Sequence, residues 1–213
     1  MYLSCLELDF KNPAVRQCLK NCVDMHRTIM KAFPAYNNKN QARKEGEILY
    51  RILANDACVK VFILSRDWPE WDKIKADGFS AKVPIETTPL VNKFNAGSVF
   101  NFDIAACPTK KIDTDGKNSR RVSLRTAQER QLWMTRKAEQ YGFNLTWLTE
   151  DEQIKSWGKS SNKANAMWHN GVHFRGQLVV TDPATFTNAF YSGIGPGKAY
   201  GFGMMLLFSA SKG

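Results

Sequence analysis

Only three histidines occur in this chain, and His26 is the one whose neighbours could do chemistry. Arg27 follows it and Lys31 stands four residues beyond Arg27, so helical spacing lines up a basic ridge beside the imidazole. An imidazole titrates near neutrality. Flanked by two cations, it suits proton donation or acceptance beside a bound phosphodiester. His26 also falls on the apolar stripe of its helix, where a histidine is by default a satisfied core residue. On residues alone both readings stand.

The second chemical stretch lies near the C-terminus. Gly193-Ile194-Gly195-Pro196-Gly197-Lys198-Ala199-Tyr200-Gly201-Phe202-Gly203 leads into the apolar run Met204 to Phe208. Clustered glycines admit positive φ and expose N–H groups that suit phosphate, with Lys198 as a point charge among them. A plain tight turn is the alternative. A nucleotide-cofactor loop does not fit: Gly193 to Lys198 is one residue short of a Walker A loop and lacks its Ser/Thr, and no register gives G-x-G-x-x-G before a helix. No cofactor is expected.

The elements that must position these residues follow from hydrophobic periodicity. Met1 to Phe10 alternates like a strand. Pro13 to Phe33 carries Val15, Leu19, Cys22, His26, Ile29 and Phe33 in steps of three and four, predicting one amphipathic helix. Glu47 to Ala54 and Val59 to Ser65 predict a hairpin turning at Asn55-Asp56, Trp68 to Ala76 a short helix, and Phe79 to Ile85 a fourth strand. The order β-α-β-β-α-β is ferredoxin-like. It recurs: a strand at Ser98 to Ala106, a helix at Thr126 to Tyr141 stopped by Gly142, strands at Leu145 to Leu148 and Val172 to Val180, a helix from Asp182-Pro183 to Tyr191, then the final strand. The expected fold is therefore α+β, two tandem ferredoxin-like (RRM-like) βαββαβ domains, at 1–88 and 89–213.

Two basic insertions interrupt the second unit. Lys110, Lys111, Lys117, Arg120, Arg121 and Arg125 fill a loop after its first strand. Lys155, Lys159 and Lys163 lie on a Ser/Asn/Gly-rich span flanked by Trp157 and Trp168. Either these are solvated loops or they are projections that track phosphates, the second narrow enough to enter a groove. With 30 Lys and Arg against 20 Asp and Glu, the formal charge of +10 favours a polyanionic partner, nucleic acid ahead of a membrane surface. No run reaches the 18 apolar residues of a membrane span. The N-terminus lacks the basic start and long apolar core of a signal peptide, so a cytoplasmic protein is expected. Five cysteines without a C-x-x-C pair predict free thiols, and His169 and His173, read as lying on a polar bend without a carboxylate partner, predict no metal site.

The Met1-Tyr2-Leu3-Ser4 strand, the segment Asp24-Met25-His26-Arg27-Thr28-Ile29-Met30-Lys31-Ala32-Phe33, the second-domain basic loop and the terminal Gly-Ile-Gly-Pro-Gly-Lys-Ala-x-Gly-x-Gly together resemble CasE, the CRISPR repeat-processing endoribonuclease of type I-E Cascade systems. The resemblance spans essentially the whole chain. It implies two tandem ferredoxin-like domains and metal-independent cleavage of CRISPR precursor RNA at the base of each repeat hairpin, leaving a 5′-hydroxyl and a 2′,3′-cyclic phosphate. It also implies that the protein stays on the crRNA as a Cascade subunit. By position, His26 would be the general acid/base, Arg27 and Lys31 would hold phosphates, and Lys31 would stabilise charge at the cleaved bond. Gly193, Gly195, Gly197 and Lys198 would contact RNA, and the hairpin bearing Lys159 and Lys163 would enter the major groove of the stem. The binding-only alternative is an RNA-hairpin scaffold that does not cut.

One residue departs from the family pattern. Many relatives carry tyrosine three residues before the histidine, and here that position is Val23, which offers neither proton nor hydrogen bond. His26 working alone with Lys31, a hydroxyl from Tyr36 or elsewhere, or slow cleavage would each account for it.

Overall fold

The computed structural model describes residues 1–35, 42–54, 58–114, 118–160 and 166–210. Strand β1 (Tyr2–Leu8) is followed by helices α1 (Pro13–Lys20), α2 (Cys22–Met30) and the short α3 (Ala42–Glu45). Then come β2 (Leu49–Ala54), β3 (Val59–Ser65), a 3-10 turn (Trp71–Lys73), β4 (Phe79–Ala81) and β5 (Ile85–Glu86). The first sheet is antiparallel in the order β2-β3-β1-β4, with β5 also on β1. After α4 (Thr88–Val91) the second unit runs β6 (Val99–Ala106), β7 (Thr109–Thr114), β8 (Asn118–Ser123), α5 (Ala127–Gln140), β9 (Phe143–Gly158), β10 (Met167–Val180), α6 (Pro183–Ser192), a second 3-10 turn (Lys198–Tyr200) and β11 (Met205–Ser209). Its main sheet has the order β11-β6-β10-β9. In both sheets the unit's first strand lies between its fourth and third, the ferredoxin-like arrangement that the element order predicts.

Several elements differ from the sequence expectation, each for a physical reason. The single helix expected over Pro13 to Phe33 is two, because Asn21 is extended (φ −125°, ψ 105°) and its Oδ1 accepts from the Val23 N–H to start α2 afresh. The helix expected at Trp68 to Ala76 shrinks to one 3-10 turn, anchored by Trp71 edge-on to Phe33 and by the Glu70 N–H on the Ala32 carbonyl. The fourth strand splits into β4 and β5 around Lys82-Val83-Pro84, where Pro84 has no N–H to give the ladder. The basic loop of the second unit is a β-hairpin, β7–β8. Most of the span bearing Lys155 is strand, so β9 and β10 form a ribbon far longer than Leu145 to Leu148 implied. The other elements lie within a few residues of expectation. A reciprocal Thr126–Glu129 capping box starts α5, and Gly142, at φ +76°, ends it.

Two cores result. Val15 and Cys18 of α1 and Met25 and Ile29 of α2 pack on Leu6, Leu8, Val61 and Ile63 of the first sheet. Trp133 and Met134 of α5 and Phe186 and Phe190 of α6 cover Phe102, Ile104, Phe174 and Leu178 of the second. Leu49 and Leu64, from the first sheet, belong to this second core, so an apolar seam joins the units. At about 1.5–3 kcal/mol for each fully buried leucine, that seam favours one fixed arrangement.

A buried charge cluster reinforces it. Arg51 of β2 places Nε 3.3 Å and Nη2 3.2 Å from Asp103 Oδ1 of β6, with side-chain exposures of 6% and 10%. His173 Nε2 lies 2.6 Å from Asp103 Oδ2, and Arg175 Nε 3.4 Å from the same oxygen. Burial pushes the Asp103 carboxyl up, but the His173 hydrogen bond and the Arg51 charge outweigh it and hold it below its usual range. A carboxylate can only accept, so His173 Nε2 donates. This corrects the expectation of a polar bend without a carboxylate partner: His169 and His173 are on strand β10.

Candidate nucleic-acid interface and proton-transfer site

Helix α2 lies against both the Lys198–Tyr200 turn and the end of β9. Asn21 fixes the second contact. Its Oδ1 accepts from the Lys159 N–H (3.2 Å), and its Nδ2 donates to the Lys159 carbonyl (3.1 Å) and to Asp24 (2.9 Å). Arg27 Nη2 donates to Ser160 Oγ at 2.7 Å, so the helix carrying His26 is tied to the hairpin carrying Lys159 at two points.

His26 is half-buried, its ring edge-on to Tyr200 with centroids 6.1 Å apart. Tyr200 in turn stacks on His169 at 4.7 Å. Burial first, then the charges of Arg43 and Arg27, lower the His26 pKa to about 4, which leaves the imidazole neutral at physiological pH. Burial raises the Tyr200 phenol, keeping its proton available for donation.

Cations crowd around this ring. Burial, Arg43 and Lys137 all depress the Lys198 ammonium, and burial and then Arg121 depress that of Lys137. Arg43, Lys198, Lys137 and Arg121 thus form a row leading from His26 past the glycine loop to the β7–β8 hairpin. Like charges held this close repel in the empty protein, and an anion would relieve the repulsion.

The loop holds Lys198 in that row through its glycines. Gly193, Gly195 and Gly197 have φ of +76°, +79° and +80°, and each also faces protein closely: an added Cβ would come within 3.0 Å of Leu49 at Gly193, 2.9 Å of Trp133 at Gly195 and 3.1 Å of Cys107 at Gly197. The Gly193 N–H is taken by the Ala189 carbonyl, whereas those of Gly195 and Gly197 have no acceptor among the described residues. Gly195→Ala is expected to destabilise the protein by more than the roughly 1–2 kcal/mol of left-handed backbone alone. Gly97→Ala, at φ +84° with nothing within 4 Å of its Cβ, supplies that backbone-only reference in parallel urea titrations.

A family model described as CRISPR associated protein matches residues 1–208. The chain belongs to this CRISPR-associated family. It is 28% identical to the CRISPR-associated endoribonuclease Cse3 of Thermus thermophilus, over 96% of this chain and 98% of that protein. The structure of Thermus thermophilus Cse3 bound to an RNA representing a pre-cleavage complex is 26% identical, with a TM-score of 0.82 over 97% of this chain and 98% of that one. The Cas6e structure from Escherichia coli, 19% identical, shares the fold at a TM-score of 0.71 over 99% and 100% of the two chains.

In this family member the site residues expected from sequence are spread over several surfaces. His26 and Arg27 are on α2, which packs against the turn that carries Lys198. Lys31 is exposed just past the end of α2. Lys159 is exposed beside Asn21. Strand alternation divides the basic hairpin: Lys111 pairs with Arg121 on one face, whose Arg121 approaches Lys137 and Gly195, while Lys110 and Arg120 turn to the opposite face. Lys110 is bound to Glu129 (3.1 Å), and Arg125 lies at the mouth of the same second face. Lys117, Lys163 and Tyr36 lie outside the described residues. Val23 is buried against Gly158, where an added Cβ would meet Val23 Cγ2 at 2.9 Å, so this position packs α2 on β9.

Arg43, Lys137, Tyr200, His169 and Asn21 escaped the sequence reading. Tyr200 and Lys137 were available as neighbours of the glycine loop and as a helical cation. Asn21 carried a capping signal, Asn followed three residues later by Asp24, that the helical periodicity overrode. None of the five cysteines is in a disulfide, no cluster of three potential metal ligands occurs among the described residues, and no described helix is long and apolar enough to cross a membrane.

Proposed function

We propose that this protein is a metal-independent endoribonuclease that cuts CRISPR precursor RNA at the base of each repeat hairpin and stays on the crRNA as a Cascade subunit in the cytoplasm. The observation that carries this reading is a neutral, half-buried His26 at the end of a row of mutually repelling cations. RNA supplies its own nucleophile, so the protein must move a proton, align the attack and stabilise the phosphorane. The 2′-oxygen bonds to phosphorus, its proton passes to the free nitrogen lone pair of His26, and the bond from phosphorus to the 5′-oxygen breaks. The imidazolium then returns the proton to that oxygen, giving the 5′-hydroxyl and the 2′,3′-cyclic phosphate. Arg43, Lys198 and Lys31 take the negative charge, while Arg27, held by Ser160, positions the strand. Tyr200 supplies the hydroxyl that Val23 lacks. The glycine loop offers the Gly195 and Gly197 N–H groups to phosphate, and Lys159 and Lys163 accompany the hairpin into the stem. Units 1–88 and 89–213 divide the work, the first carrying the proton-transfer helix and the second most of the RNA surface.

The test is the repeat hairpin RNA incubated with the protein in excess EDTA and resolved on a denaturing gel. One cut at the stem base supports the reading. Tight binding without cleavage would replace it with the scaffold. Affinity is expected to fall steeply with salt, by about 10³-fold or more between 50 and 200 mM if six or more phosphates are contacted.

A further inference from the structure

The proposed chemistry uses one face of the β9–β10 ribbon, on which Gly158 meets α2 and His169 meets Tyr200. The opposite face has no assigned role. Residues directly across an antiparallel pair share a face, so Trp157 stands beside Trp168, and Lys155 beside Asn170, on the face that alternates with the one bearing Gly158 and His169. Trp168 is 66% exposed, more than Trp68 at 52% or Trp147 at 46%, whereas Trp133 is buried and Trp71 packs on Phe33.

A trough opens on the same ribbon beside these indoles, which do not line it; Trp157 lines a second cavity with Lys20, Lys155 and Tyr200. Between this face and the β7–β8 hairpin lies a cavity of about 800 Å³ lined by Lys110, Arg120, Arg125, Lys155 and Asn170 over Leu124. Trp157 and Trp168 continue the same face two residues beyond Lys155 and Asn170. Cations along a channel and flat aromatic faces two residues further along the same ribbon suit a flexible polyanion that also has aromatic faces. A duplex cannot use the indoles, because its bases are already paired and stacked. An unpaired strand can, each base on an aromatic ring and each phosphate on a cation.

We propose that this outer face binds an unpaired stretch of RNA, stacking its bases on Trp157 and Trp168 and tracking its phosphates along Lys155, Arg120 and Arg125. The proposal rests on the ribonuclease reading for the identity of that stretch, the single-stranded flank of the repeat hairpin. It gives the divided hairpin a purpose: Arg121 serves the stem side and Arg120 the flank side.

The test measures equilibrium binding, at one salt concentration, of four RNAs: the hairpin with both flanks, with the 5′ flank removed, with the 3′ flank removed, and blunt. The intact protein is expected to lose about tenfold in affinity when the bound flank is removed, and the removal that matters names the strand. W168A should bind the full RNA about tenfold more weakly, respond to neither removal and bind the blunt hairpin as the intact protein does. W168F should stay close to the intact protein. Equal flank dependence in W168A and the intact protein would overturn the proposal. So would a W168A protein with unchanged RNA binding that fails to join its protein partners, since that assigns the face to a protein contact. If neither protein binds the blunt hairpin, the stem-cleavage reading fails, and intrinsic tryptophan fluorescence decides this one separately. Quenching by a short unpaired oligonucleotide, reduced in W168A, supports the outer-face site, and absence of quenching rejects it.

Discussion

Replacing His26 with alanine is expected to slow single-turnover cleavage of the repeat hairpin by about 10²–10⁴-fold while hairpin affinity changes little. The ring is only half-buried and contacts Tyr200 edge-on, so its loss removes the proton carrier without removing a core element. Its pH behaviour is distinctive. Burial with Arg43 and Arg27 lowers the imidazole to about 4, so the base form already dominates at neutrality. For a base, activity falls only when pH drops through its pKa. The acid limb of kcat/KM should therefore lie near pH 4 instead of the 6.5 of an ordinary histidine, with a plateau above. Bound phosphodiester favours the imidazolium, so the acid limb of kcat should lie higher than that of kcat/KM. A kcat/KM that rises as pH falls toward 5 would instead make His26 the obligatory acid. Tyr200→Phe keeps the ring between His26 and His169 and deletes the hydroxyl. A clear loss in kcat with unchanged binding would assign that hydroxyl to the reaction, and no loss would leave His26 with the cations alone.

The second large effect is structural and lies away from the RNA. Asp103→Ala is expected to destabilise the protein by about 3–5 kcal/mol in urea unfolding, because it leaves the buried Arg51 guanidinium with the Ile52 carbonyl and the Glu152 charge but without its hydrogen-bonded carboxylate. His173 and Arg175 lose the same acceptor. The wild-type carboxyl has a folded-state pKa below its unfolded value, so its contribution is complete above about pH 4 and disappears as pH falls through the lower folded value. Asp103→Asn should remove that acid-side loss from the pH profile of stability. A variant as stable as the parent would mean that the apolar seam around Leu49 and Leu64 alone holds the two units together.

What the sequence alone determined about this protein was its local and repetitive content. Alternation placed β1 and β6, Gly142 marked the end of α5, Asp182-Pro183 marked the start of α6, and the clustered glycines announced a loop able to take positive φ. His26 with Arg27, and Lys198 among glycines, were legible because their chemistry lies in residue type and short spacing. What only the tertiary structure decided depends on residues far apart in the chain. Arg43 and Lys137 became part of the site because α3 and α5 carry them to the glycine loop. Arg51 and Asp103, 52 residues apart, became a pair because two sheets pack through that seam. Strand alternation then set Arg120 and Arg121, neighbours in sequence, on opposite faces of one hairpin, a division that charge counting cannot make because it has no face to assign.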